Sequence, residues 1–101
     1  MSQREFQFEW DEAKARINLT KHDVTFELAR TVFDDPRILT LADVEHSDEE
    51  ERWLSIGLAG NHWVLVVVHL WKDAGRDSTK IRIISARKAT QAEIRYYQEG
   101  I

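Results

Sequence analysis

Residues 52–71, RWLSIGLAGNHWVLVVVHLW, decide the fold. Two runs rich in β-branched and aromatic side chains, 52–60 and 62–71, flank Gly60-Asn61, a pair suited to a tight turn. They predict a β-hairpin. The longest apolar run of the chain, Trp63 to Val68, is of strand length. It falls far short of the roughly 18 residues that a membrane-spanning helix needs. Downstream, KDAGRDST (72–79) is a second turn, and KIRIISARKA (80–89) reads as the next strand. Thr90-Gln-Ala-Glu93 is a capping box. It opens a last helix with Ile94 and Tyr97 on one side.

Upstream, FQFEW (6–10) alternates Phe6, Phe8 and Trp10 on one face, as a short half-buried strand does. Asp11 can cap a helix over 12–21, whose apolar stripe (Ala13 with Ile17, Ala15 with Leu19) is thin. KHDV (21–24) is a turn. Thr25 then caps a second helix over 26–34, with Phe26, Ala29, Val32 and Phe33 at helical spacing. Asp34-Asp35-Pro36 stops it, RILTL (37–41) is strand-like, and ADVEHSDEEER (42–52) is a polar, acidic connection. The order β-α-α-β-β-β-β-α predicts an α+β fold. Its expected form is an antiparallel sheet of four to five strands with two N-terminal helices and one C-terminal helix. With the helices on one face, the other face would be solvated or covered by a partner.

A length of 101 residues suits a single domain spanning 1–101. The absence of cysteine excludes a disulfide scaffold, a thiolate zinc site and a cysteine nucleophile. The N-terminus MSQREFQFEW is polar and has no signal-peptide core, so a soluble cytoplasmic protein is expected. The net charge of −4 argues against nucleic acid when taken whole. Its distribution matters more. Residues 34–52 carry eight acids against two arginines, and residues 80–101 carry five bases against two acids.

The basic segment raises the functional question. Strict alternation in 80–89 puts Lys80, Arg82, Ile84, Ala86 and Lys88 on one face, with Ile81, Ile83, Ser85 and Arg87 on the other. A bulge would bring Arg87 beside Arg82. These bases are either solvated strand residues or phosphate contacts. His69, in VVVHLW, is either a satisfied half-buried side chain or a proton carrier beside a bound phosphate. Lys14, Asn18 and Lys21 fall on one helical stripe, and Lys21 and His22 also complement the helix C-terminus. Trp10, Trp53, Trp63 and Trp71 are core residues by default, or stacking platforms on an open sheet face. Asp43, Glu45, His46 and Asp48 match no known metal-ligand spacing. No Walker loop, dinucleotide fingerprint, nucleophile elbow or H-E-x-x-H motif is present.

Three blocks of the sequence resemble the BrnT toxin family. FEWDEAKARINLTKHDVTFELARTVFDDP (8–36) carries F-x-W-D, K-x-x-x-N-x-x-K-H, V-x-F-x-x-A and V-F-x-D-P. EERWLSIG (50–57) is similar to E-x-R-x-x-x-x-G, and RIISARKATQAEIRYY (82–97) to R-I-I-S-A-R-K-A followed by Glu and Tyr. Asp23 stands where the family pattern has glycine after Lys-His. The resemblance implies a RelE-like fold and a metal-independent endoribonuclease that inhibits translation. It also implies a BrnA-type antitoxin with a ribbon-helix-helix DNA-binding part, so that operator DNA is reached only through the antitoxin. No cofactor, metal or membrane is expected. On this reading Arg82 and Arg87 bind phosphate, His22 or His69 carries the proton, and Lys14, Lys21 and Lys88 bind RNA. The contrasting expectation is a non-catalytic module of the same fold that only pairs with an antitoxin-like partner.

Overall fold

The structure, a computed structural model, describes residues 5–46 and 51–100. Strand β1 (Glu5–Glu9) leads into α1 (Glu12–His22) and α2 (Phe26–Arg30), which continues as a 3₁₀ turn over Thr31–Asp34. Strand β2 (Leu39–Ala42), a 3₁₀ turn (Val44–His46), β3 (Arg52–Leu58), β4 (Val64–Asp73), β5 (Ser78–Lys88) and α3 (Gln91–Glu99) follow. The α+β class and the order of elements are those expected from the sequence. Part of the acidic connection, including Asp48, lies outside the described residues, as does Glu50 of the second resemblance block.

The five strands lie in the order β1-β5-β4-β3-β2. Strands β2 to β5 pair antiparallel, but β1 runs parallel to β5, from Glu5↔Ser78 to Glu9↔Arg82. The sheet is therefore mixed, which corrects the all-antiparallel expectation. Parallel pairing needs a long crossover, and here the helices and three strands intervene between the two partners. The β3–β4 turn is one residue longer than a Gly60-Asn61 turn. His62 N–H bonds to the Ala59 carbonyl at 2.9 Å, and His62 takes a left-handed φ of 72°.

Helices fall on both faces, another correction. On the first face, Phe26, Ala29, Val32 and Phe33 bury against Leu65, Val67, Ile81, Ile83 and Ala86. On the second, Tyr97 of α3 packs on Ile56 and Val66 at one end of the sheet. The Tyr97 hydroxyl donates to Asp35 Oδ2 at 2.5 Å. The same oxygen accepts the Leu58 N–H at 2.8 Å, and Oδ1 accepts the Arg37 N–H at 2.9 Å. Asp35 thus ties the end of the helical layer to β3 and α3. A Cβ on Gly57 would stand 2.7 Å from Val32 Cγ1, so only glycine lets β3 approach that layer so closely.

Helix α1 is attached by a polar side chain. Asn18 is buried. Its Nδ2 donates to the carbonyls of Val24 and Ala86, both at 2.9 Å, and its Oδ1 accepts the Ala86 N–H at 3.0 Å. Strand β1 pairs with β5 only as far as Arg82. Beyond it, the Asn18 amide occupies the edge that a further strand would take. The expected apolar stripe of α1 is corrected, since Ile17 and Leu19 are exposed, while Asn18, between Lys14 and Lys21, is buried.

Candidate functional site

The β4–β5 register contains one irregularity. Val68 pairs with Ser85 but His69 pairs with Ile83, so Ile84 is the extra residue of a bulge. Val66 and Leu70 are four positions apart in β4 and share the second sheet face. Their partners, Arg87 and Arg82, are five apart, and the bulge puts them on that face together. Ala86 and Lys88 move to the face of Ile81 and Ile83. Strict alternation is thus corrected. Along β5 the two arginines are about 13 Å apart at the usual strand rise.

Arg82 lines a shallow pocket of about 170 Å³ with Glu9, Leu70, Lys72 and Lys80. Its Nη1 donates to Glu9 Oε2 at 3.1 Å, and Lys80 Nζ lies 3.6 Å from Glu9 Oε1. The Arg82 hydrogen bond holds the Glu9 carboxyl below its usual range, with Lys80 assisting. Two cations, Arg82 and Lys80, thus hold one half-buried carboxylate, and Lys72 lines the same pocket. Asp11, which caps α1, is held low chiefly by the N–H groups of Lys14 and Ala13, and also by the charges of Lys14 and Arg82. The first turn of α1 therefore adjoins this pocket.

Arg87 is held more firmly. Nη1 and Nη2 donate to Glu93 Oε1 and Oε2 at 2.7 and 2.9 Å, a bidentate pair. Nη1 also reaches the Lys88 carbonyl at 3.3 Å. Glu93 Oε1 accepts the Thr90 N–H at 2.8 Å, completing the capping box of α3. The Arg87 hydrogen bonds draw the Glu93 carboxyl down to about 2, and the pairing raises Arg87 further.

Lys14 and Lys21 are exposed on α1, one turn before and one turn after Asn18, which aims that stripe at the outer edge of β5. His22 is half-buried at the end of the helix. Asp23 follows with a left-handed φ of 57°. That conformation favours glycine, which the resemblance led one to expect here, and is one that Asp tolerates.

Two expected site residues stand apart. His69 is buried, with no exposed surface. Its Nε2 lies 2.8 Å from Ser55 Oγ, and its ring packs edge-on against Phe33 at 5.0 Å. Burial pushes its pKa down to about 4, so the ring is neutral and closed to solvent near pH 7. A role for His69 in proton transfer to RNA is therefore corrected. Lys88 lies over the Trp63 ring at 4.3 Å, and Trp63 is an exposed cation–π partner rather than a core residue.

Sequence reasoning missed Glu9, which fills the variable position of F-x-W-D, and the link between Arg87 and Glu93. The capping box was the available signal for the second; nothing local signals the first. Among the described residues, no group of three or more His, Cys, Asp or Glu lies placed to hold a metal ion, and no helix is long and apolar enough to cross a membrane.

Comparison with known proteins completes the picture. Residues 10–93 match a family described as "Ribonuclease toxin, BrnT, of type II toxin-antitoxin system". The fold is similar to the crystal structure of the Brucella abortus ribonuclease toxin BrnT, with a TM-score of 0.56 and 20% identity, covering 89% of this chain and 100% of that one. No curated protein sequence matches the chain.

Proposed function

The chain belongs to the BrnT family of ribonuclease toxins of type II toxin–antitoxin systems, and on that premise we propose that its RNA-binding face is the second face of the sheet around Arg82. The observation that carries this reading is the β5 bulge, which sets Arg82 and Arg87 on one face beside Lys72 and Lys80. A polyanion that follows this face meets cations at the spacing of roughly two nucleotides of an extended strand.

The reaction that suits such a face is attack of a ribose 2′-oxygen on the adjacent phosphorus. The 5′-oxygen leaves, giving a 2′,3′-cyclic phosphate and a 5′-hydroxyl end. Negative charge accumulates on the phosphorane, and fixed guanidinium donors stabilise it without reorganisation. Arg82 supplies them once its bond to Glu9 is shared or exchanged. Arg87 keeps donors beyond those committed to Glu93 and Lys88, and anchors a neighbouring phosphate. Lys14 and Lys21 extend the positive field along α1. His22, the half-buried histidine beside Lys21, stands about 15 Å along α1 from the turn that adjoins the Arg82 pocket, so water rather than His22 takes and delivers the proton at that phosphate. No metal is required in this scheme. Residues 1–101 act as one cytoplasmic toxin domain that inhibits translation. A BrnA-type antitoxin neutralises it, and operator DNA is reached only through that partner.

RNA cleavage by the purified chain in excess chelator tests the proposal, with growth arrest on induction as the cellular counterpart. Cleavage that persists in chelator and falls in Arg82→Ala is expected. Equal cleavage by wild type and Arg82→Ala would contradict the assigned face. A specific observation favours a second reading: both arginines are already bonded to carboxylates. If the folded wild-type chain cleaves no RNA and arrests no growth, the protein is a non-catalytic module that only pairs with its antitoxin.

A further inference from the structure

The first sheet face is not fully covered. At the end away from α1, Thr40, Trp53 and Trp71 line an open pocket of about 290 Å³. Trp71 is 42% exposed, and Phe6 stands against it at 5.9 Å. The floor is polar. Thr40 Oγ1 lies 2.9 Å from Ser55 Oγ, which lies 2.8 Å from His69 Nε2. This chain closes the hydrogen-bonding needs of the floor, so an occupant need only supply apolar surface and one polar contact to Thr40.

The charges beside this pocket are acidic. Asp73 lies two residues beyond Trp71 on the same strand face. Glu51, exposed, precedes Arg52, the partner of Leu70, and so falls opposite Trp71 on the same face. Lys72 and Lys80 pair with each other on the opposite face. Phosphate is repelled at such a rim, so stacked RNA is disfavoured although tryptophan is a good base platform. A protein segment with aromatic or aliphatic anchors and flanking lysines or arginines fits both the walls and the rim.

We propose that the Trp53–Trp71–Thr40 pocket is the docking site for a basic, apolar-anchored segment of the antitoxin. This rests on the reading of the chain as a toxin paired with a protein antitoxin. It places that contact on the opposite sheet face from the arginines, so docking and RNA binding are separable by mutation.

The test uses the purified full-length chain and the small protein encoded beside it, with affinity measured by calorimetry. Trp71→Ser and Thr40→Arg are each expected to weaken binding by about 30-fold while RNA cleavage is retained. Glu51→Lys is expected to weaken it by about threefold and to flatten its salt dependence. Unfolding midpoints check that each variant is folded, and Thr40→Arg leaves both tryptophans in place. Unchanged affinity in both Trp71→Ser and Thr40→Arg overturns the proposal. So does a loss of RNA affinity in these variants, which would mark a base-stacking surface, or a wild-type self-association that they abolish. If the wild type does not bind the neighbouring protein at all, the antitoxin reading fails together with the docking site, an outcome distinct from the others.

Discussion

Arg82 and Arg87 stand on one face of β5, on either side of a single bulge, and each meets a glutamate. Arg82 reaches Glu9 through one nitrogen at 3.1 Å, on an edge strand. Arg87 grips Glu93 with two nitrogens at 2.7 and 2.9 Å, and Glu93 also closes the N-terminus of α3. The first pair is open and joined by Lys80 alone, so a phosphate is expected to be able to replace its carboxylate. The second is a bracket built into the fold. Two arginines of one motif thus do different things, and residue type alone would have assigned them the same role. The two halves of β5 differ likewise: β1 covers the edge of the first, and the Asn18 amide covers the edge of the second.

The strongest way to break this arrangement is to remove that amide. Asn18→Ala leaves the Ala86 N–H and carbonyl without their buried partners, and is expected to cost about 4 kcal/mol of stability. Denaturant unfolding checks this, and α1 should lose amide-exchange protection before the sheet does.

The seam between the halves is expected to respond to acid. His69 pairs with Ile83 at the bulge, and its folded-state pKa of about 4 lies below the ordinary 6.5. As pH falls below 6.5 the unfolded chain takes up a proton that the fold excludes. Stability present above pH 6.5 is therefore lost progressively towards pH 4, by about 3 kcal/mol. Unfolding free energies measured over this range should show the slope, and His69→Gln should flatten it. An equally steep slope in that variant would locate the proton uptake elsewhere.

Arg87→Ala tests the bracket. With both partners partly exposed, the loss is expected to be about 1 kcal/mol, seen as earlier unfolding of α3. Glu93→Gln should reproduce it. Glu9→Gln is the mildest change. Stability should stay within about 0.5 kcal/mol of wild type, while RNA affinity at low salt rises about threefold as the competing charge is removed.

Much of this was legible in the sequence. The hairpin, the meander, both N-caps and the Thr90–Glu93 capping box are local patterns, and the structure keeps them. The part played by Asn18 was not legible, because a polar residue at helical spacing looks alike whether water or a strand edge receives it. The parallel β1 was unreadable because its partner lies some seventy residues away, and no turn joins them. Alternation misplaced Ala86, Arg87 and Lys88, since a bulge shifts every later side chain by one face. His69 had its signal in the apolar run around it. Glu9 had none, because its contact with Arg82 exists only once β1 has docked.

The most direct measurement compares RNA cleavage by Arg82→Ala and Arg87→Ala at equal folded fraction, beside their unfolding curves. Arg82→Ala should lose about 100-fold in rate with an unfolding midpoint close to wild type, whereas Arg87→Ala should unfold earlier. Wild-type cleavage by Arg82→Ala, or an equal loss of stability in the two variants, would contradict the division of labour between the two arginines.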